Sequence, residues 1–207
     1  MNNDIMPLII NPYIRFVSLT NSCNEEFYVG NLKKFSPNEN IRTSGYRKCM
    51  HGDICIILKT KKTESILIDS SAHLAPGDIF TFVSYESKGK INLTKIKEKN
   101  EIRDPGYAYL KICYPDSGGP KINLSSGSSC FCRDIKCGDT SRHIGFVPGE
   151  YCFSIHDNNG KLLALTESLT LENRKCYTLY VTTDENGIFK TLITTDVGNP
   201  ECFWMLN

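Results

Sequence analysis

His51-Gly52-Asp53-Ile54-Cys55-Ile56-Ile57-Leu58 is answered 97 residues later by Pro148-Gly149-Glu150-Tyr151-Cys152-Phe153-Ser154-Ile155. Both octets pass through a turn-prone Gly and an acid into a run whose large side chains alternate. Ile54, Ile56 and Leu58 lie on one side of the first run; Tyr151, Phe153 and Ile155 take the same places in the second. A period of two is the signature of a half-buried strand. The shift holds on either side of the octets. Ser71-Ala72-His73-Leu74 falls on Ser168-Leu169-Thr170-Leu171, and Ile79-Phe80-Thr81-Phe82-Val83 on Cys176-Tyr177-Thr178-Leu179-Tyr180. One residue less aligns Tyr13-Ile14-Arg15-Phe16 with Tyr109-Leu110-Lys111-Ile112. A repeat this long means two similar domains in tandem, not a solenoid.

Turn signals punctuate both copies: Pro76-Gly77-Asp78, Lys88-Gly89-Lys90, Asp157-Asn158-Asn159-Gly160 and Asp184-Glu185-Asn186-Gly187. No window carries a capped helical stripe. The pattern predicts an all-β chain of two immunoglobulin-like β-sandwiches, each of six or seven short strands. Residues 1–98 form the first with an N-terminal extension, 99–106 a charged linker ending in Pro105-Gly106, and 107–207 the second with an apolar tail. Ile14, Phe16, Ile56, Phe80 and Phe82 are the expected core of the first copy, and Leu110, Ile112, Phe153, Tyr177 and Leu179 that of the second.

Of 207 residues, 40% are hydrophobic and 23% charged, with a net charge of +1. That balance is globular, and it gives no electrostatic reason for nucleic acid or an anionic membrane as partner. It also offers little repulsion between copies, which suits a protein that assembles. Ile5 to Ile10 is short, broken by Pro7 and preceded by no Lys or Arg. It does not read as a secretory signal, and no run is long enough to span a bilayer as a helix. Synthesis in the cytoplasm is the expectation, with later deposition on a spore surface compatible with it.

Tyr114-Pro115-Asp116-Ser117-Gly118-Gly119-Pro120, Val147-Pro148-Gly149-Glu150-Tyr151 and Leu169-Thr170-Leu171-Glu172-Asn173-Arg174-Lys175-Cys176-Tyr177-Thr178 resemble motifs of the bacterial domain-of-unknown-function family 4397. Their counterparts are "SPDAP", "PAGTY" and "LTLEAGKxYT". The first copy keeps the spacing at His51-Gly52-Asp53 and Leu74-Ala75-Pro76-Gly77-Asp78 but not the opening motif. The resemblance implies a β-sandwich, often in tandem and often on the cell surface, and it supplies no catalytic residues.

Ten Cys are spread along the chain, many for a cytoplasmic protein. Cys130, Cys132, Cys137 and His143 stand in a Ser/Gly-flanked stretch expected to be a loop. Three thiolates and an imidazole match a zinc shell in ligand type, though Cys-x-Cys is tighter than the common structural spacings. Zinc, loop disulfides and free thiols all remain open for this cluster. Cys55 and Cys152 hold equivalent outward-facing positions, either as small tolerated residues or as thiols placed for cross-linking. Asp69, Glu98, Asp116, Glu167 and Asp196 read as solvated strand-end charges. No nucleophile elbow, P-loop or zinc-protease helix is present, so no catalytic residue and no required cofactor are assigned. The C-terminal Glu201-Cys202-Phe203-Trp204-Met205-Leu206 either packs back on the second domain or anchors a partner.

Three functional readings follow. The first is a non-enzymatic structural or assembly protein of an envelope or spore-coat layer, cross-linked through Cys, with itself or other coat proteins as partners. The second is a module binding glycan or protein, with Tyr107, Tyr109, Tyr114 and Tyr151 as candidate aromatic contacts. A Cys/His metal protein is a third, weaker reading.

Overall fold

The computed structural model describes residues 11–98, 104–115, 118–184 and 186–196. The N-terminal segment before residue 11, the linker's 99–103, Asp116 and the Trp204 tail lie outside the described residues. The chain divides into two compact units, Met1–Ser84 with Leu93–Lys99 and Tyr85–Asn92 with Asn100–Asn207. Every regular element among the described residues is a strand, and no helix there is long and apolar enough to cross a membrane.

The first copy runs β1 (Tyr13–Ser18), β2 (Glu25–Val29), β3 (Leu32–Phe35), β4 (Arg47–Lys48), β5 (Gly52–Thr60), β6 (Ile66–Leu74), β7 (Ile79–Ser87) and β8 (Lys90–Lys97). They form two four-stranded sheets, ordered β4-β1-β7-β8 and β3-β2-β5-β6. The second copy runs β9 (Ala108–Cys113), β10 (Ile122–Ser126), β11 (Ser129–Ile135), β12 (Ile144–Phe146), β13 (Gly149–Tyr151), β14 (Ser154–Asp157), β15 (Leu162–Leu165), β16 (Leu169–Leu171), β17 (Cys176–Thr183) and β18 (Phe189–Asp196). Its sheets are β12-β9-β17-β18 and β11-β10-β14-β15, with β13 paired to β16. The duplication is thus explicit in the topology. Its least common feature is repeated too: β1 lies parallel to β7 with Tyr13 beside Ile79, and β9 parallel to β17 with Tyr109 beside Cys176. These are the residues that the sequence shift brings together.

Both copies exceed the expected six or seven strands, and the second has ten to the first copy's eight because the counterparts of the long β5 and β6 are each broken there. Thr166 causes the break. Its hydroxyl accepts from the Phe153 N–H at 2.9 Å, and its N–H donates to the Phe153 carbonyl at 2.8 Å. A side chain thereby replaces a ladder bond and the strand steps sideways.

All ten expected core residues are buried. In the first copy Phe16 lies 4.8 Å from Phe27 and 5.8 Å from Phe82, ring centre to ring centre. In the second, Phe146 meets Phe131, Tyr151 and Phe153 at 4.6, 5.3 and 5.5 Å. One further device is duplicated. The Ser44 hydroxyl accepts from the Phe16 N–H, and the Ser141 hydroxyl from the Ile112 N–H, both at 2.9 Å. In each copy a serine satisfies the edge of the strand that carries the core aromatic or aliphatic side chain.

Of the carboxylates read as solvated, Asp196 is buried and Glu98 is half-buried. Arg15 and Lys111 alternate with core residues and so project from the opposite sheet face, yet they are 2% and 3% exposed. The Arg15 guanidinium lies 3.6 Å from Glu98 and donates to Thr81 Oγ1, which donates to Glu98 at 2.7 Å. Lys111 lies 3.7 Å from Asp196, which also accepts from the Thr178 hydroxyl. A cation, a threonine and an acid thus recur at matching places, because a charge taken from water must be paired and hydrogen-bonded.

Candidate functional site

The Cys130 segment is a strand, not a loop. β10 and β11 pair as a hairpin, Ser125 opposite Cys130 and Leu124 opposite Cys132. Gly127, at φ +56°, makes the turn. The pairing is irregular, and Asp134 adopts φ +58° with its N–H on Asn123 Oδ1 at 2.9 Å. The irregularity lets Phe131 and Cys132, though adjacent, both pack on the core. Cys130 is left exposed.

The four candidate zinc ligands therefore do not converge. Cys137, beyond the strand, exchanges hydrogen bonds with the Gly119 backbone at 3.1 Å. His143 lies in the segment before β12. Among the described residues no three His, Cys, Asp or Glu side chains are arranged to hold a metal ion. Cys130, Cys132 and Cys137 form no disulfide.

What the hairpin does build is a cleft. Asn123 and Ser125 of β10, Cys130 and Arg133 of β11 and His156 of β14 share the outward face of one sheet. Asp134 and the Asp157–Gly160 turn close its end. The cleft is shallow and open to solvent, with a volume of about 450 Å³. Its polar groups are held in place by one another. Asn158 Nδ2 donates to Asp134 at 2.9 Å, Asn123 Nδ2 to the Asp157 carbonyl at 3.3 Å, and Arg133 Nε to Cys130 Sγ at 3.4 Å. The Asp157 carboxylate accepts from the Asn159 and Lys161 N–H groups, which fixes the turn. Nothing in the linear sequence marks these residues as a group; only the register of three strands assembles them.

The corresponding face of the first copy is filled instead. Tyr28 donates to Glu26 at 2.9 Å, Lys33 pairs with Glu26 at 3.3 Å, and the Lys59 ammonium sits 4.7 Å above the Tyr28 ring. Burial works to raise the Glu26 carboxyl, yet the three hydrogen bonds it accepts hold it below the usual glutamate range.

The proposed aromatic contacts divide. Tyr114 is fully buried and belongs to the core, so it cannot meet a ligand. Gly119 packs on it so closely that a Cβ there would overlap the phenol oxygen. Tyr151 is half-buried and stacked on Phe153, and Tyr107 is exposed.

The thiols separate by environment, which gives a labelling order. Cys130 and Cys152 are exposed. Cys55 is half-buried, and its thiol donates to Asp69 at 2.9 Å, so the carboxylate pushes its pKa up. Burial raises Cys23, Cys49 and Cys132. Since the thiolate is the nucleophile and must be reached, exposed Cys130 and Cys152 should alkylate first in native protein, and buried Cys23, Cys113 and Cys176 last. Asp69→Asn should speed Cys55 at neutral pH by removing the charge that holds its proton. Peptide mass mapping over time reads both, and uniform labelling rates would contradict the assignment.

No family model matches the chain, and no curated protein matches it. Among solved structures it is similar to the CBMbc module (family CBM26) of Eubacterium rectale Amy13K in complex with maltoheptaose, at 14% identity over 92% of this chain and 98% of that one, TM-score 0.28. It is also similar to a chain from a study of alpha-glucan binding by a streptococcal virulence factor, at 11% identity over the same shares, TM-score 0.28. Neither likeness is near enough to speak for this chain's ligand.

Proposed function

We propose that the protein is a non-enzymatic binding module whose second sandwich takes a polyhydroxylated, glycan-type ligand in the cleft between Asn123, Arg133 and His156. The observation that carries this is the cleft's chemistry. Its lining mixes donors (Arg133, Asn123, Asn158, Ser125) with acceptors (Asp134, Asp157) and includes no aliphatic, Phe, Tyr or Trp side chain. Sugar hydroxyls both donate and accept, so they pair with such a set more completely than an apolar molecule or a simple ion does. One cation facing two carboxylates gives no single-sign field to select an ion. The volume suits a one- or two-residue saccharide unit.

A glycan array followed by titration calorimetry on the best hit tests the reading. Arg133→Ala should weaken binding by about tenfold to a hundredfold, the loss of a charged hydrogen bond. Tyr107→Ala should leave affinity unchanged. An array without hits, or binding indifferent to Arg133, would remove the proposal.

The second reading is an assembly protein of a coat-type layer, of the family-4397 kind. Exposed Cys130 and Cys152 supply thiols for cross-links once the surroundings are oxidising. Apolar edge residues Leu162 and Leu165 of β15 favour it as well.

A further inference from the structure

Among the described residues the first sandwich has four edge strands, and three are defended. β3 reads Leu-Lys-Lys-Phe, β4 is Arg-Lys, and β8 carries Lys90, Lys95 and Lys97. Lysine on an edge opposes pairing with another chain, because a new strand would bring it against a neighbour and desolvate it. β6, Ile-Leu-Ile-Asp-Ser-Ser-Ala-His-Leu, has no Lys, Arg or Pro. It is also among the longest strands of the chain. Its one irregularity is at the start, where Leu67 is skipped in the pairing with β5. From Ile68 to Leu74 the ladder is regular. Asp69, Ser70, Ser71 and His73 are exposed, as are Ile66 and Leu67 before them.

That regular run is self-complementary. Its midpoint is Ser71. Placed antiparallel to itself about Ser71, the strand sets Ser71 opposite Ser71, Ser70 opposite Ala72, Asp69 opposite His73 and Ile68 opposite Leu74. Small residues meet at the centre, an acid meets an imidazole on each side, and aliphatic residues close the ends. Opposite groups at such sites stabilise a pair, and like charges there oppose it. His73 bonds Asp53 through Nδ1 at 2.8 Å, which leaves Nε2 to reach a carboxylate across the axis. The net charge of +1 adds no general repulsion between copies.

We propose that two copies of the chain join edge to edge through β6, antiparallel, with the two-fold axis at Ser71. The β3-β2-β5-β6 sheet then continues into its mate as one eight-stranded sheet. A two-fold pair closes on itself, so the product is a dimer and not a fibre. This is independent of the cleft: loss of glycan binding leaves it untouched, and a monomeric protein leaves the cleft reading untouched.

Sedimentation of the full-length reduced protein should show a concentration-dependent dimer. Ser71→Lys would set two ammonium groups opposite each other and weaken self-association by about tenfold or more, with the circular dichroism spectrum unchanged. Ser71→Cys gives a readout of register. Directly opposed Cβ atoms in such a pair lie about 4.5–5.5 Å apart, close to disulfide reach. Because Cys55 faces position 71 across β5 and β6, the Ser71→Cys variant is made with Cys55→Ser, and under mild oxidation it should form a disulfide between the two copies at the substituted position, seen in the peptide mass map. Ser70→Cys, displaced diagonally from its mate, should not link to itself. A wild-type monomer at every attainable concentration would overturn the proposal, and so would a dimer insensitive to Ser71→Lys. Protection of the β6 amides in a monomer, lost when residues 1–10 are deleted, would give the edge to the chain's own N-terminus and overturn it as well.

Discussion

Phe16→Ala should lower the stability of the first sandwich by about 3–5 kcal/mol, read as a fall in urea midpoint with circular dichroism as probe. The ring is fully buried and sits among Phe27 and Phe82, with Phe80 against Phe82 and Phe35 against Phe27 beyond. Truncation leaves a void that two sheets cannot jointly close. The surrounding rings are held in rotamers set by strands on both sides, so they collapse only partly. Arg15 next in line is also buried, so sliding the strand by one residue offers no escape. It would turn a guanidinium into the core. A midpoint unchanged by the substitution would mean the alternation of β1 is read one residue out of register.

The fold was legible in the sequence to an unusual degree, and the reason is duplication. A single run such as Tyr13-Ile14-Arg15-Phe16 is weak evidence of anything. The same run recurring as Tyr109-Leu110-Lys111-Ile112, with Phe80 and Tyr177 at a nearly constant distance, is an internal control. The same constancy reappears in the structure as one parallel pairing made twice, β1 on β7 and β9 on β17. What stayed hidden is what depends on tertiary partners. The break between β13 and β14 comes from the Thr166 side chain, which no local propensity reveals. The strand character of Ser129–Ile135 was masked because its pairing is irregular, so its apolar side chains do not alternate, and its Ser and Gly neighbours imitate a loop.

The site shows the opposite balance. Cysteine spacing groups Cys130, Cys132, Cys137 and His143 in the sequence, but one pleat and one irregular ladder send those side chains in different directions. The cleft that the hairpin does form draws on Asn123, Arg133 and His156, ordinary polar residues up to thirty-three positions apart. The buried cations had a signal that could have been found. Arg15 and Lys111 stand at equivalent places between core residues, and Thr81 and Thr178 stand at equivalent places on the neighbouring strand. A charge kept in both copies beside a threonine kept in both copies points to a shared buried partner.

Glu25→Ala should cost the first sandwich about 3–5 kcal/mol, comparable to loss of the central ring. Glu25, Ser18, Thr20 and Ser84 are all fully buried. The Ser18 hydroxyl donates to the carboxylate at 2.5 Å, and those of Thr20 and Ser84 at 2.8 Å. Since Ser18 and Ser84 belong to one sheet and Glu25 to the other, the carboxylate ties the sheets together at that end. Alanine would leave three hydroxyls without their acceptor in a place water does not reach, and each unmet group carries its full desolvation cost. The second copy shows another solution at the same position. The pairing registers put Tyr114, Ile122 and Val181 where the first has Ser18, Glu25 and Ser84, and all three lie in the apolar core. Glu25→Ile alone should therefore be about as damaging as Glu25→Ala, because the hydroxyls remain. Adding Ser84→Val and Ser18→Ala should recover part of the loss, since polar partners replaced together by apolar groups are often nearly neutral and only the Thr20 hydroxyl is then left without its acceptor. Thermal and urea unfolding of the single and triple variants decides it. A triple variant no more stable than Glu25→Ile would mean that the polar tie shapes this end of the sandwich in a way apolar packing cannot reproduce.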